Sequence, residues 1–141
     1  MNQVLLNGSN APDEMRYDAM PGSADHLQQH WSTYFTEDDV AAVAAFGMNA
    51  LRIPIGYWSF GNFNEGTTYI SGAEYWLDQA IGWARTHNLK VLLDIHGHPG
   101  SQNGWDHSGG TAAGVSWQQG SNSTYLGMSN YHKAIIRPGI C

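Results

Sequence analysis

Two rhythms of apolar and polar positions run through the middle of this chain. Thr36 stands as a helix N-cap with Asp39 three residues on, and Val40, Val43, Ala44 and Phe46 then form an apolar stripe that stops at Gly47. This predicts a short helix over about 36–46. The run Ala50-Leu51-Arg52-Ile53-Pro54-Ile55 reads as a strand that ends, or lacks a ladder bond, at its proline. Ser71-Gly72-Ala73-Glu74 is a capping-box pattern. After it Leu77, Ala80, Ile81 and Ala84 recur at i, i+3, i+4 and i+7, with His87 and Asn88 suited to the last turn and the residue beyond it. Trp76 and Trp83, seven apart on that helix, read as packing residues. Leu89 to Ile95 is a second apolar run and a second strand. Helix, strand, helix, strand, with a polar residue near the end of each strand, is the rhythm of an α/β fold with a parallel sheet.

The flanks differ. Residues 1 to about 30 are polar, carry turn signals at Asn7-Gly8-Ser9-Asn10 and Met20-Pro21-Gly22-Ser23, and read as loop. The connection from Gly56 to Ile70 holds Tyr57, Trp58, Phe60, Phe63 and Tyr69 among Gly and Asn, which is too aromatic for a solvated linker and suits the lining of a cleft. The second strand breaks into Asp94-Ile95-His96-Gly97-His98-Pro99-Gly100-Ser101-Gln102-Asn103-Gly104-Trp105-Asp106, where ligand-binding groups gather in parallel α/β folds. After Trp117 the rhythm is lost.

The 141 residues suit one domain. A net charge of −6, with six Lys and Arg scattered along the chain, leaves no basic patch for phosphates, so nucleic-acid binding is not expected. No apolar run approaches the roughly 20 residues that span a bilayer, so no membrane partner is expected, and the start shows no signal-peptide pattern. The single cysteine, Cys141, gives no internal disulfide and no information on compartment.

Three ordered stretches carry a resemblance: His30-Trp31-Ser32-Thr33-Tyr34, Gly47-Met48-Asn49-Ala50-Leu51-Arg52-Ile53-Pro54-Ile55-Gly56-Tyr57-Trp58, and Asp94 through Gly104. Together they resemble fungal exo-β-1,3-glucanases (glucan 1,3-β-glucosidases) of glycoside hydrolase family 5. The resemblance covers about residues 12–124 and implies part of a (β/α)8 TIM barrel, around its second and third strands; a full barrel takes about 250 residues. Residues 1–124 are thus expected to be an incomplete catalytic domain, an N-terminal fragment, and 125–141 a divergent tail. An open part of a barrel leaves strand edges and an apolar face uncovered.

The resemblance implies retaining hydrolysis of terminal β-1,3-glucosidic bonds of glucan, with β-glucan as partner and a secreted or wall-associated setting. Such enzymes use two glutamates about 5–5.5 Å apart, one in an Asn-Glu pair after strand four and one after strand seven. Neither motif occurs among Glu14, Glu37, Glu65 and Glu74, so the chain alone is expected to be inactive. Arg52 matches the arginine that keeps the nucleophilic carboxylate ionised. His96 matches a histidine beside the terminal sugar. Asn103 and Asp106 lie on the following loop, and Tyr57, Trp58 and Trp105 are candidates to stack on or line a glucose pocket.

Other readings compete. Arg52 also suits a strand arginine paired with a nearby acid, and Asp94 a hydrogen-bonding residue at a strand end. His96 and His98 have the His-x-His spacing of some metal-dependent hydrolases. No cofactor and no metal are expected, since the resemblance places a small residue where His98 stands. A non-catalytic β-glucan-binding remnant, stacking sugar on Tyr57, Trp58 and Trp105, is the remaining alternative.

Overall fold

A computed structural model describes residues 9–60, 67–111 and 115. Its elements are helices α1 (Glu14–Asp18), α2 (Ser23–Thr33) and α3 (Glu37–Ala45), strand β1 (Ala50–Gly56), helix α4 (Ala73–Thr86) and strand β2 (Lys90–Gly97). Phe63, Glu65, Cys141 and the whole tail 125–141 lie outside the described residues.

β1 and β2 pair in parallel, with Arg52 beside Leu92 and Pro54 beside Asp94. Lys90 N–H donates to the Asn49 carbonyl (3.0 Å), so the backbone groups of odd-numbered β1 residues turn toward β2 and those of even-numbered ones toward the edge that no strand among the described residues pairs. The missing N–H of Pro54 therefore falls on the edge, where a proline is tolerated. Side chains alternate across the sheet. Leu51, Ile53, Ile55, Val91, Leu93 and Ile95 pack toward the buried cores, while Arg52, Pro54, Leu92, Asp94 and His96 occupy the opposite, open face.

The covered face holds two clusters. Val40 of α3, Ala84 of α4 and Leu89 form one, with Val43, Ala44 and Trp83 against it. Tyr57, Trp58, Phe60, Tyr69 and Leu77 form the other. The 36–46 helix is present, with the Thr36–Asp39 capping box made, but Phe46 is 83% exposed. Six residues beyond Val40 it has rotated off the arc shared by Val40, Val43 and Ala44.

Two expectations are corrected. Residues 13–33 are not loop: α1 is capped by the Asp13 carboxylate, which accepts from Arg16 N–H (3.0 Å), and α2 is anchored by Leu27. Polar ties and one buried leucine leave no apolar period to read. The helix expected from Ser71 starts at Ala73, with Gly72 as an N-cap that has no side-chain cap bond. Gly72 has φ +130°, and a Cβ there would meet the Gln28 amide at 2.8 Å and the Trp31 ring at 3.1 Å, so the turn is set by close approach to α2. The aromatic connection packs into the core, with Tyr57, Trp58, Phe60 and Tyr69 all buried, and Trp58 also borders the cavity described below.

Candidate functional site

At the carboxyl end of β2 the ladder runs from Ile55 beside Ile95 directly to Gly56 beside Gly97, so His96 is an extra residue in a bulge. Such bulges re-aim a side chain. Arg52 and Asp94 are two positions apart in the pairing register on the open face, and the Arg52 guanidinium forms an ion pair with Asp94 Oδ2. The same oxygen lies 3.1 Å from His96 Nδ1. Arg52, Asp94 and His96 thus form one polar string, in which Asp94 orients both neighbours.

The loop beyond is held by its own side chains. Gln102 Nε2 donates to the His96 carbonyl (2.7 Å) and its Oε1 accepts from His98 N–H (3.1 Å). Ser101 has φ +59°, and its buried hydroxyl accepts from Gly104 N–H (2.7 Å) and shares a hydrogen bond with Ser108 (2.6 Å). Asn103 Oδ1 accepts from Trp105 N–H (3.0 Å), and its amide reaches the His107 ring. The loop presents Trp105, 66% exposed with its ring roughly parallel to that of His107 at 6.4 Å, and Asp106, which opens a short 3-10 turn.

Beneath this loop Trp58 acts as a wedge. Its ring stacks on Tyr69 at 4.6 Å and 11°, and its Nε1–H donates to Glu14 Oε1 (2.7 Å). Glycines 56, 97 and 109 enclose it: a Cβ added at any of them would come within 2.3–2.4 Å of the indole. A cavity of about 780 Å³ runs past this wedge, and Arg52, Trp58, His96, Asp106, His107 and Glu14 are among the residues lining it.

Of the residues singled out from sequence, Arg52, Trp58, His96 and Asp106 share that cavity, while Tyr57, Asn103 and Trp105 do not line it. Tyr57 and Trp58 lie inward of the exposed surface, and Trp58 reaches the cavity as part of its lining. Both are over 90% buried, edge-to-face with each other, and their faces are taken by protein. Trp76 does line the cavity, beyond its packing role.

Burial raises the Glu14 carboxyl above its ordinary range despite the bond from Trp58. It also depresses His98, whose ring is half-buried in the loop while His96 is exposed on the sheet face. Among the described residues no group of three His, Cys, Asp or Glu side chains is placed to hold a metal ion. Glu37 and Glu74 lie in the first turns of α3 and α4, so neither they nor Glu14 stand on β1, β2 or the loop after β2.

Sequence reading missed Glu14, His107 and Gln102. Glu14 carries no local signal, being 44 positions from the indole it holds. His107 follows the candidate Asp106 directly, and Gln102 sits within the motif already singled out.

A barrel segment with a polar string at its strand ends has close counterparts. The family profile of cellulase (glycosyl hydrolase family 5) matches residues 13–132. Glucan 1,3-beta-glucosidase 1 of Schizosaccharomyces pombe is 51% identical over 102 residues, which are 72% of this chain and 25% of that protein. Glucan 1,3-beta-glucosidase of Blumeria graminis is 45% identical over 123 residues, 85% of this chain and 28% of that one. The crystal structure of rutinosidase from Aspergillus niger superposes with a TM-score of 0.82 at 19% identity, covering 95% of this chain and 38% of that chain. The chain therefore belongs to glycoside hydrolase family 5, and its elements are part of a (β/α)8 barrel. It spans about a quarter of the length of the curated relatives it matches.

Proposed function

We propose that this chain forms one wall of the active site of a retaining glycoside hydrolase acting on terminal β-1,3-linked glucose of β-glucan, in a secreted or wall-associated setting. The observation that carries the reading is the Arg52–Asp94–His96 string on the open sheet face, at the strand ends where Asp106 and Trp105 project. Arg52 is suited to pair with a carboxylate, and within the described residues that partner is Asp94. His96, Asn103 and Asp106 offer hydrogen bonds to sugar hydroxyls, and Trp105 offers an exposed ring face.

Retaining hydrolysis needs two carboxyls about 5–5.5 Å apart across the scissile bond. Glu14 is committed to Trp58, and Glu37 and Glu74 lie in helix first turns, so the reading includes inactivity of these 141 residues by themselves. Exposure of Trp105 favours the second reading, a chain that binds β-glucan without cleaving it.

Titrating the 141-residue chain with laminari-oligosaccharides, alongside a glucose-release assay, separates these. Saturable binding that Trp105→Ala weakens about tenfold, with no glucose released, is the expected result; a tenfold loss corresponds to about 1.4 kcal/mol. Glucose release would sink the inactivity claim. No binding at millimolar sugar would remove the binding reading.

A further inference from the structure

Helix α1 and its cap Asp13 hold three stretches of chain from two loops. Met15 N–H donates to the Gly109 carbonyl (2.9 Å), and Asp13 Oδ2 accepts from both the N–H and the hydroxyl of Thr111 (3.0 Å each), which ties α1 to the end of the loop after β2. Thr68 donates its hydroxyl to the Met15 carbonyl (2.6 Å), and Asp18 Oδ2 accepts from Ile70 N–H (2.9 Å), which ties it to the segment before α4. Glu14 holds Trp58, just after β1.

One of these ties is built on a group that burial opposes. Asp18 is 6% exposed, and its Oδ1 is buried with no hydrogen-bond partner. The ionisable groups around it do not compensate a charge. Glu14 and Asp13 are acids on the same stretch, Tyr17 is bonded to His26 of α2, and Arg16 is committed to Asp13 and Thr111. Tyr69, with Tyr57 behind it, faces the acids from the loop side, and no ion pair reaches Asp18 among the described residues. A buried carboxylate with an unpartnered oxygen is costly, and a proton removes the charge, the larger part of that cost.

We infer that Asp18 is a positioning residue of a clasp: with its carboxyl protonated, α1 binds the loops that follow β1 and β2 into one unit, and ionisation of Asp18 loosens the hold on residues 67–70. Burial pushes the Asp18 carboxyl up to about 7, the Ile70 bond opposing that and the Glu14 charge adding to it. The folded value lies above the unfolded one, so the folded state binds the extra proton between about pH 4 and 7, and the clasp weakens as pH rises through that window. This goes beyond the glucan reading and stands whether or not the chain binds sugar.

The test follows backbone amide exchange in the full 141-residue chain, as protection relative to the intrinsic rate at each pH. Between about pH 5 and 8, protection of the Ile70 amide falls about tenfold or more, while the Leu89 amide, bonded to Ala84 behind α4, changes by less than about threefold. In Asp18→Asn, a neutral isostere that keeps an acceptor for Ile70, the Ile70 protection becomes flat across the range. A flat wild-type profile, an Asp18→Asn profile that follows wild type, or a parallel fall at Leu89 indicating global opening would each overturn the inference. Should Asp18→Asn fail to fold, a carbon-13 titration of the unaltered chain decides: an Asp18 midpoint above about pH 5.5 supports the clasp, and one at or below it overturns it.

Discussion

Three glycines and one indole decide how the carboxyl ends of β1 and β2 meet. Glycines 56, 97 and 109 come from different segments, yet a side chain on any of them collides with Trp58. Gly97→Ala is expected to lower unfolding free energy by about 1–3 kcal/mol, because the wedge fixed by Tyr69 and Glu14 has no room to move. Gly82, in the middle of α4, meets nothing within 4 Å, so Gly82→Ala is expected to raise stability by about 0.5–1 kcal/mol. Urea unfolding of both variants checks the pair, and a destabilised Gly82→Ala would show that α4 is more closely covered than described. Glycine-before-aromatic was visible in the chain as Gly56-Tyr57-Trp58. That distant Gly97 and Gly109 close on the same ring was not, since nothing local to either reports a neighbour 40 or 50 positions away.

At the scale of elements, legibility followed the source of each helix's stability. α4 and the two strands bury apolar residues at regular spacing, so periodicity located them within a residue or two. α1 and α2 do not. α1 is held by Asp13, Glu14 and Asp18 bonding to residues far along the chain, and α2 rests on Leu27, 2% exposed, as its buried apolar side chain. Leu27→Ala is therefore expected to cost about 2–5 kcal/mol. Phe46→Ser, at a position 83% exposed, should stay within about 0.5 kcal/mol of wild type despite removing a larger side chain. Thermal melts of the two variants distinguish burial from hydrophobicity as the determinant. The candidate site divided in the same way: Arg52 and His96 stood out as polar groups in or just after apolar strands, where packing gives no reason for them, while Asp106 on the later loop was singled out by the family resemblance. The burial of Tyr57 and Trp58 was not legible, because aromatic residues in a glycine-rich loop read alike whether they face solvent or core.

At the scale of the whole molecule the decisive fact is a parallel sheet that, among the described residues, has two strands and is covered on one face only. Parallel sheets are ordinarily covered on both faces, with their edges paired or masked. Here the open face carries the charged string of Arg52, Asp94 and His96, but also Leu92 at 62% exposure, and β1 turns the backbone groups of Ala50 and Arg52 toward the edge left unpaired among these residues. A net charge of −6 opposes association without removing the apolar and hydrogen-bonding groups that drive it. The chain is accordingly expected to self-associate as concentration rises, through this face and edge. Leu92→Lys places a charge at the centre of the open face, where the native side chain makes little buried contact, so it should shift the association to higher concentration by about tenfold while leaving the melting temperature within a few degrees. Sedimentation velocity across a concentration series measures the first effect and a melt at the lowest concentration the second. A chain that stays monomeric throughout would show that its edge charges suffice to mask the sheet, and an unfolded Leu92→Lys would show that the face is covered in solution.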